Sequence, residues 1–265
     1  MFREKMKRIA ETKSIAFGTH VFCGTPMLTE AIASCGFDAV WIDMEHTAID
    51  KAAVLDNLIA IKAGSKGETA AFVRIPWNDM VLAKPIIDMG PDAIIFPYVR
   101  NAEEAKNAVA SCEYPPAGIR GYGPLRALGY GSDTPLNYVK NTCREMLRII
   151  QVEHIDCVNC LEEILKIDGI DGFIVGPNDL SGSLGHIGEY RHPDMDPVYD
   201  HIGDILRGTG KLFGVSLGFE PEFICQWIDR GVNIVFTGHD VGYVYEGAIR
   251  IKKGLNEITK SHINR

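Results

Sequence analysis

Apolar residues along the chain occur mainly in short continuous runs, and eight of these runs have the composition of buried β-strands. They are rich in Val, Ile and Phe and mostly lack the alternation of a strand with one face in water. Such runs are typical of strands that are covered on both faces in a parallel sheet. The predicted strands are residues 14–22, 37–44, 69–76, 92–99, 146–153, 171–177, 212–218 and 233–240.

The segments between the first four predicted strands have apolar residues at helical spacing. They read TPMLTEAIASCG, DKAAVLDNLIAIKAG and NDMVLAKPIIDMG. Asp50 is placed to cap the second helix, and Gly36, Gly64 and Gly90 stand where a glycine that terminates a helix is expected. Strand and helix alternate eight times along the chain without a linker or a low-complexity break. This pattern predicts a single-domain (β/α)8 barrel, an α/β fold, over residues 1–265.

Composition and charge exclude several classes of protein. The chain has 265 residues and a net charge of -8, and no basic stretch offsets this charge, which argues against nucleic-acid binding. The sequence has no run of about 18 apolar residues, the length that a membrane-spanning helix needs, so no such span is predicted. The N-terminal MFREKMKRIAETK is charged and helical in pattern and lacks the apolar core of a signal peptide. Seven scattered cysteines suit a reducing compartment, so we expect a cytoplasmic protein.

Polar side chains gather where the predicted strands end, which is where barrels of this kind carry their chemistry. Glu153 and Asp179 follow adjacent strands, and paired carboxylates suit a hard divalent cation. No lysine stands at these strand ends, and Lys211 lies at the start of a strand, so a Schiff-base mechanism is disfavoured. The polar residues at the strand ends are His20, Asp43, Glu45, His46, Arg74, Gln151, Glu153, His154, Asn178, Asp179, His239 and Asp240.

Two other features are weaker candidates for a site. Residues 113–135 are rich in glycine and proline and predict a long loop, and such loops are commonly functional. Its Arg120 and Arg126 would meet an acidic substrate or a neighbouring subunit, or would simply be solvated. Cys157 and Cys160 beside His154 have the spacing of a zinc or redox pair. The chain has no second C-x-x-C, so ordinary packing of one helix face is favoured.

Four blocks of sequence resemble the HpcH/HpaI family. They are FDAVWIDMEHTAID, VRIPWND, QVEH and GPNDLSGSLG, and they occur in the family's order between about Gly18 and the strand FTGHD. Within the family they are most similar to the metal-dependent class II pyruvate aldolases, such as those that act on 4-hydroxy-2-oxoheptanedioate and 2-dehydro-3-deoxyglucarate. The resemblance implies a (β/α)8 barrel, which agrees with the strand count.

The resemblance also implies a metal site and a proton carrier. Glu153 and Asp179 would be the protein ligands of Mg2+, Mn2+ or Co2+. His46 would be the histidine base. Asp88 would be the aspartate paired with it. Imidazole suits this role because it gains and returns a proton near neutral pH.

The remaining residues of the implied site would bind the substrate or support the metal. Arg74 would contact the pyruvate carbonyl oxygen, and Gln151 would lie near the bound pyruvate. The backbone N–H groups around Gly176, Asn178 and Asp179 would hold its carboxylate. Asp43 and Glu45 would hold metal-bound waters. His20 and His239 match no block, and we interpret them as hydrogen-bonded polar residues at the barrel rim.

The implied activity is reversible cleavage of a 4-hydroxy-2-oxo acid to pyruvate and an aldehyde, and the sequence leaves the aldehyde open. A CoA-thioester lyase of the malyl-CoA or citryl-CoA type is the main alternative, although the chain length leaves little room for a segment that covers CoA. A third possible function is that of a non-catalytic barrel that binds an oxo acid. The resemblance further implies a homo-oligomer, expected to be a hexamer. The amphipathic C-terminal EGAIRIKKGLNEITKSHI would dock on a neighbouring barrel or close its own.

Overall fold

Eight parallel strands pair in chain order and close into a barrel in the computed structural model, which describes Glu4 and residues 14–263. Each strand lies within a segment predicted from the sequence, so the (β/α)8 prediction is confirmed. The N-terminal segment predicted to be helical lies outside the described residues, apart from Glu4. The strands are β1 Ala16–Val21, β2 Ala39–Asp43, β3 Ala70–Arg74, β4 Ala93–Phe96, β5 Leu147–Val152, β6 Gly172–Val175, β7 Leu212–Leu217 and β8 Ile234–His239.

Helices follow the strands and surround the barrel. Among the described residues they are α1 Pro26–Ala33, α2 Lys51–Gly64, α3 Met80–Asp88, α4 Ala102–Cys112, α5 Pro135–Lys140, α6 Ile155–Asn159, α7 Leu161–Leu165, α8 Pro177–Ser183, α9 Met195–Leu206, α10 Pro221–Asp229 and α11 Asp240–Ile263. Short 3-10 turns flank α5 at Gly129–Gly131 and Thr142–Arg144. None of the described helices is both long and apolar enough to cross a membrane.

The predicted helix ends are correct, but the role expected for one of the glycines is not. The Asp50 carboxylate accepts a hydrogen bond from the Ala53 N–H at 2.9 Å and caps α2 as expected. Gly36 and Gly90 have φ values of +87° and +71°, which a glycine adopts without strain. α2 ends at Gly64 as predicted, but Gly64 is its last helical residue and does not have the positive φ of a terminating glycine. A Cβ atom there would collide with the backbone of Glu30 in α1, so this glycine permits two helices to approach closely.

The core has an inner and an outer layer. The outer layer packs apolar side chains of the strands against the surrounding helices. The strands β2 to β6 are buried throughout, which explains their continuous apolar runs. The inner layer fills the barrel itself and consists of Ala16, Ala39, Trp41, Ala70, Phe72, Ala93, Ile95, Leu147, Ile149, Ile174, Leu212, Ile234 and Phe236.

The loop of residues 113–135 is anchored at the end of the barrel where the strands begin. Arg120 is buried and donates a 2.6 Å hydrogen bond to Asp88 at the end of α3. The rings of Tyr114 and Tyr138 lie 4.6 and 5.8 Å from its guanidinium carbon. Arg126 donates to the carbonyl oxygen of Met89. Within the chain, therefore, both arginines fasten the loop to α3 and neither reaches a substrate at the opposite end of the barrel.

The C-terminal helix α11 leaves most of its length uncovered. Asp240 is its one buried residue. Apolar side chains along the helix are exposed, and they include Val241, Val244, Tyr245, Ile251, Leu255 and Ile258. At 1.5 Å per residue the helix is about 36 Å long, so it extends well past the strand that it follows.

Candidate active site

Side chains from β2, β3 and β5 meet at the carboxyl end of the barrel, as the sequence predicts. Arg74 at the end of β3 contacts Asp43, the last residue of β2, Glu45 just after it, and Gln151 in β5. Glu153 follows Gln151 by two residues and also lies in this cluster. In a closed parallel barrel the strand ends form one rim, and this is why distant segments of sequence converge here.

Arg74 is held by two carboxylates. Its Nε and Nη2 atoms donate to the two oxygens of Asp43 at 2.8 and 2.7 Å, a bidentate geometry. Its Nη1 atom lies 2.8 Å from Glu45 and 3.3 Å from the Gln151 amide oxygen. Burial opposes the charge of Arg74, but the hydrogen bonds and charge of Asp43 outweigh this effect and raise its pKa. Arg74 is thus a fixed cation whose position depends on Asp43.

Asp43 has a structural role that the sequence did not predict. Asp43 is completely buried, and both of its oxygens accept hydrogen bonds from Arg74. One of these oxygens also accepts the Glu45 backbone N–H at 3.0 Å. In the structure Asp43 positions Arg74, and the water-holding role expected for Asp43 and Glu45 stays a prediction.

Glu153 is a buried carboxyl group with an unusual proton affinity. It is 2% exposed, and burial together with the nearby charge of Glu45 raises its pKa to about 8. One oxygen accepts the backbone N–H of Tyr98 at 2.6 Å, and the other accepts the side-chain amide of Gln151. Tyr98 has a φ of +54°, so a left-handed residue directs this N–H at the carboxylate.

Glu45 and Asp179 complete a cluster of acids around Glu153. Burial raises the pKa of Glu45, Arg74 and His46 oppose this effect, and the charges of Asp43 and Asp179 reinforce it. Asp179 lies in the first turn of α8 and is exposed at the mouth of the barrel. Its charge also raises the pKa of Glu153. The charges of three carboxyl groups thus act on one another, and among the described residues the Arg74 guanidinium opposes both Glu45 and Glu153.

Gly176 is needed beside this cluster because it lacks a side chain. A Cβ atom on Gly176 would lie 3.0 Å from the Gln151 amide nitrogen and 3.3 Å from Glu153. Its N–H donates to the Val152 carbonyl oxygen at 3.1 Å and is therefore not free to bind a ligand. Of the three amides predicted to hold a carboxylate, the geometry leaves those of Asn178 and Asp179 in the first turn of α8.

These residues fit a divalent cation. Glu153 and Asp179 offer only oxygen atoms, the ligand type that Mg2+ and Mn2+ prefer. The raised pKa of buried Glu153 shows that its negative charge is poorly compensated, and a cation would supply the compensation. None of the polar residues described at the carboxyl ends of the strands is a lysine. Lys211 lies at the opposite end of the barrel, at the start of β7, where it donates to the Ile170 carbonyl oxygen.

His46 and Asp88 are not brought together within one chain. The His46 side chain is 62% exposed, and its Nε2 atom lies 3.7 Å from Glu45 at the mouth of the barrel. Asp88 ends α3, which runs back toward the start of β4, so it lies at the opposite end. Its partner there is Arg120. A pair between His46 and Asp88 thus requires two copies of the chain.

The rim histidines are hydrogen-bonded, in agreement with the interpretation from the sequence. His20 lies 2.9 Å from both the Gly238 carbonyl oxygen and the Ser216 hydroxyl, and burial lowers its pKa to about 4. His239 accepts the Gly242 N–H at 3.1 Å and stacks on Phe22. Asp240, also at this rim, accepts the N–H groups of Phe22 and Cys23.

The cysteines after β5 serve packing. Burial raises the pKa of both Cys157 and Cys160, which disfavours the thiolate form. His154 caps α6 by accepting the Asp156 N–H at 3.1 Å. All seven cysteines are free in the structure.

Sequence reasoning missed Tyr98 and the separate role of Asp43. Tyr98 acts through its backbone N–H, which no side-chain motif reports. The Asp43–Arg74 pair joins residues 31 positions apart in the sequence. The sequence signal that could have found it is that both residues end neighbouring strands, since Asp43 and Arg74 lie opposite each other in β2 and β3.

Comparisons with known proteins agree with this geometry. The HpcH/HpaI aldolase/citrate lyase family matches residues 17–246. The 5-keto-4-deoxy-D-glucarate aldolase of Enterobacter sp. (strain 638) is 32% identical over 242 residues, which cover 91% of this chain and 93% of that protein.

Two solved structures share the fold. An HpcH/HpaI aldolase/citrate lyase family protein from Burkholderia cenocepacia J2315 has a TM-score of 0.87 at 27% identity and covers 96% of this chain and 99% of its own. The citrate synthase SbnG has a TM-score of 0.79 at 26% identity, with 96% and 98% covered. The chain is therefore a carbon–carbon lyase on a (β/α)8 barrel and belongs to the HpcH/HpaI aldolase/citrate lyase family.

Proposed function

We propose that the chain catalyses reversible, divalent-metal-dependent cleavage of a 4-hydroxy-2-oxo acid to pyruvate and an aldehyde. The observation that carries this proposal is buried Glu153 at the rim of the barrel beside Arg74, which Asp43 and Glu45 hold in place, with Asp179 near enough for its charge to act on Glu153. A hard cation and a fixed guanidinium together suit a substrate that develops negative charge on an oxygen next to a carboxylate. The named aldolase relative supports the same reaction class.

Glu153 and Asp179 would hold Mg2+, Mn2+ or Co2+ through their oxygens, with Glu45 placed to hold coordinated water. When bound, the cation would supply Lewis-acid polarisation of the 2-oxo group. The free amides of Asn178 and Asp179 would bind the substrate carboxylate at the start of α8.

The proton and the developing charge are handled by residues of the chain. His46, exposed at the mouth, takes the proton of the 4-hydroxyl group, and the C3–C4 bond then breaks to release the aldehyde. The electron pair of that bond moves toward the 2-oxo oxygen, where Arg74 stabilises the negative charge. The Gln151 amide keeps the Glu153 carboxylate oriented, since it is hydrogen-bonded to that group. On return of a proton to C3, pyruvate is complete.

The test is pyruvate release from a panel of 4-hydroxy-2-oxo acids. Chelation with EDTA should abolish release, and Mg2+, Mn2+ or Co2+ should restore it. Glu153→Gln should lose the same activity, because it removes one of two protein ligands. Full activity after chelation, with a substrate adduct trapped by borohydride, would overturn the proposal in favour of a lysine mechanism. The aldehyde that gives the highest rate in the reverse direction defines the physiological class.

A CoA-thioester lyase is the second candidate, and the family to which the chain belongs includes citrate lyases. Turnover of malyl-CoA or citryl-CoA in place of free 4-hydroxy-2-oxo acids would establish it. A sensor that only binds oxo acids is not supported, because the relatives are named as enzymes.

We also propose a homo-oligomer, specifically a hexamer, in the reducing cytoplasm that seven free thiols suit. Two observations support the assembly: the exposed apolar side chains of α11, and the separation of His46 from Asp88. A neighbouring copy would cover the helix and bring its Asp88 to His46. Mixing His46→Ala with Asp88→Asn subunits should then restore activity that each variant lacks alone. A monomer by light scattering at micromolar concentration would contradict the assembly.

A further inference from the structure

A second group of potential metal ligands lies outside the site described above, in the segment between α8 and α9. Successive backbone turns shape this segment: Glu189 N–H donates to the His186 carbonyl oxygen at 2.9 Å, and His192 N–H donates to that of Glu189 at 2.7 Å. A further hydrogen bond of 2.8 Å ties His186 N–H to Ser181 in α8. Two successive turns with hydrogen bonds between residues three apart therefore bring His186, Glu189 and His192 close together.

The side chains of this group converge. The rings of His186 and His192 stack with centroids 3.8 Å apart and planes 14° from parallel. One ligand atom from each of His186, Glu189 and His192 lies within 4.8 Å of the other two. Asp194 adds a second carboxylate, with an oxygen 3.3 Å from His186 Nε2 and 3.6 Å from His192 Nδ1.

The donor set differs in kind from that of the catalytic cluster. Two imidazoles with carboxylate oxygens suit Zn2+, Ni2+ or Cu2+, whereas Mg2+ prefers oxygen alone. Ligand atoms at about 2.0–2.2 Å from one zinc ion are roughly 3.5 Å from each other, so the group needs to contract by only about 1 Å. The Glu189 and Asp194 side chains are 68% and 71% exposed and can rotate toward the ion. The lone pair of an imidazole nitrogen lies in the ring plane, so the stacked rings of His186 and His192 must also turn out of their parallel arrangement to share one ion; their side chains are 23% and 34% exposed.

We propose that His186, Glu189 and His192, with Asp194 beside them, form a binding site for a borderline divalent cation such as Zn2+ or Ni2+. The site is separate from Glu153 and Asp179 and does not rest on the proposed reaction.

Occupation of this site would fix a segment that faces the catalytic end of the barrel. Arg191 lies 3.1 Å from Glu220, which follows β7, and Tyr190 donates a hydrogen bond to the same carboxylate. A cation held by the histidines on either side of these residues would therefore brace the loops that follow β6 and β7 against each other.

Metal counting tests the proposal directly. Glu153→Gln protein is dialysed against micromolar Ni2+, so that the catalytic cluster is disabled, and one equivalent should remain bound. Adding His192→Gln to this protein should remove the bound Ni2+. The affinity should fall by at least the ~10–100-fold that is typical when a residue that only orients a metal ligand is lost, because His192 is itself a proposed ligand. Adding His201→Gln, an exposed histidine on α9, is the matched control and should keep one equivalent.

Retention of one equivalent by the His192→Gln protein, or none in Glu153→Gln alone, would overturn the proposal. Two bound equivalents of Ni2+ in the Glu153→Gln protein would count against Glu153 as a ligand of the catalytic metal. The effect of His192→Gln would then still decide whether the histidine site exists. As a second readout in the wild-type fold, Zn2+ should shift the ring proton resonances of His186 and His192 and leave His201 unchanged. No shift at either ring would also overturn the proposal.

Discussion

Asp43 grips Arg74 through two parallel hydrogen bonds of 2.8 and 2.7 Å, and both side chains are buried at the catalytic end of the barrel. Removing one partner of a buried ion pair leaves the other charge uncompensated and typically costs about 3–5 kcal/mol. Asp43→Ala should therefore lower the free energy of unfolding by about this amount in denaturant titrations. Arg74→Met in addition should recover part of the loss. A cost for Asp43→Ala below about 1 kcal/mol, the value of an exposed pair, would show that the clamp is not structural.

His46 and Arg74 are expected to fail in different ways. His46→Ala removes the base and leaves Arg74 in place, so cleavage should fall by about 10²–10⁴-fold while pyruvate affinity persists. Arg74→Ala should weaken both pyruvate binding and cleavage, because the developing charge loses its fixed cation. Steady-state cleavage rates and pyruvate affinities of the two variants give the comparison. Cleavage by His46→Ala at the wild-type rate would place the base elsewhere.

Gly176 is predicted to be essential to the geometry of the acid cluster. Gly176→Ala places a Cβ atom 3.0 Å from Gln151 and 3.3 Å from Glu153, so these side chains must move by a few tenths of an ångström. Displacements of about 1 Å cost roughly 10²-fold in well-oriented sites, and we expect a loss of at least about tenfold in metal-dependent cleavage. Gly121→Ala, whose Cβ position has only the Lys84 side chain within 4 Å, at 3.6 Å, is the control and should retain activity. Equal rates in the two variants would contradict the predicted crowding.

His20 should make the fold sensitive to mild acid. Burial lowers its pKa from 6.5 to about 4, so the unfolded chain binds a proton that the folded chain rejects between these values. Its contribution to stability is complete above pH 6.5 and is lost as the pH falls toward 4, by on the order of 3 kcal/mol. His20→Gln should flatten the decline of unfolding free energy over this window, whereas His201→Gln should not. Parallel pH profiles for His20→Gln and wild type would rule out this origin.

The fold was predictable because each of its signals is local. Continuous apolar runs marked every strand, and Asp50 marked the start of α2. Gly64 was misread because its reason for being glycine is the backbone of α1, which lies 34 positions earlier in the chain at Glu30. Contacts of this kind depend on tertiary packing and leave no periodicity in the sequence.

The site was predictable as a set of residues but not as a set of contacts. Motif blocks named Arg74, Glu153 and Asp179, and the barrel rim brought them into one cluster. The family resemblance paired His46 with Asp88, which the direction of α3 carries to the other end of the barrel. A sequence pattern cannot distinguish a partner within the chain from one in a neighbouring copy.

The most direct test of metal-assisted charge stabilisation at this cluster is the exchange of pyruvate methyl protons in D2O, followed by NMR without any aldehyde. The wild-type enzyme with Mn2+ or Mg2+ should exchange these protons, because Arg74 and the cation together stabilise the charge that forms when one is removed. Chelated enzyme and Asp179→Asn should show no exchange above the uncatalysed rate, and borohydride should leave the wild type fully active. Exchange that persists after chelation and stops after borohydride treatment would contradict a metal-dependent mechanism.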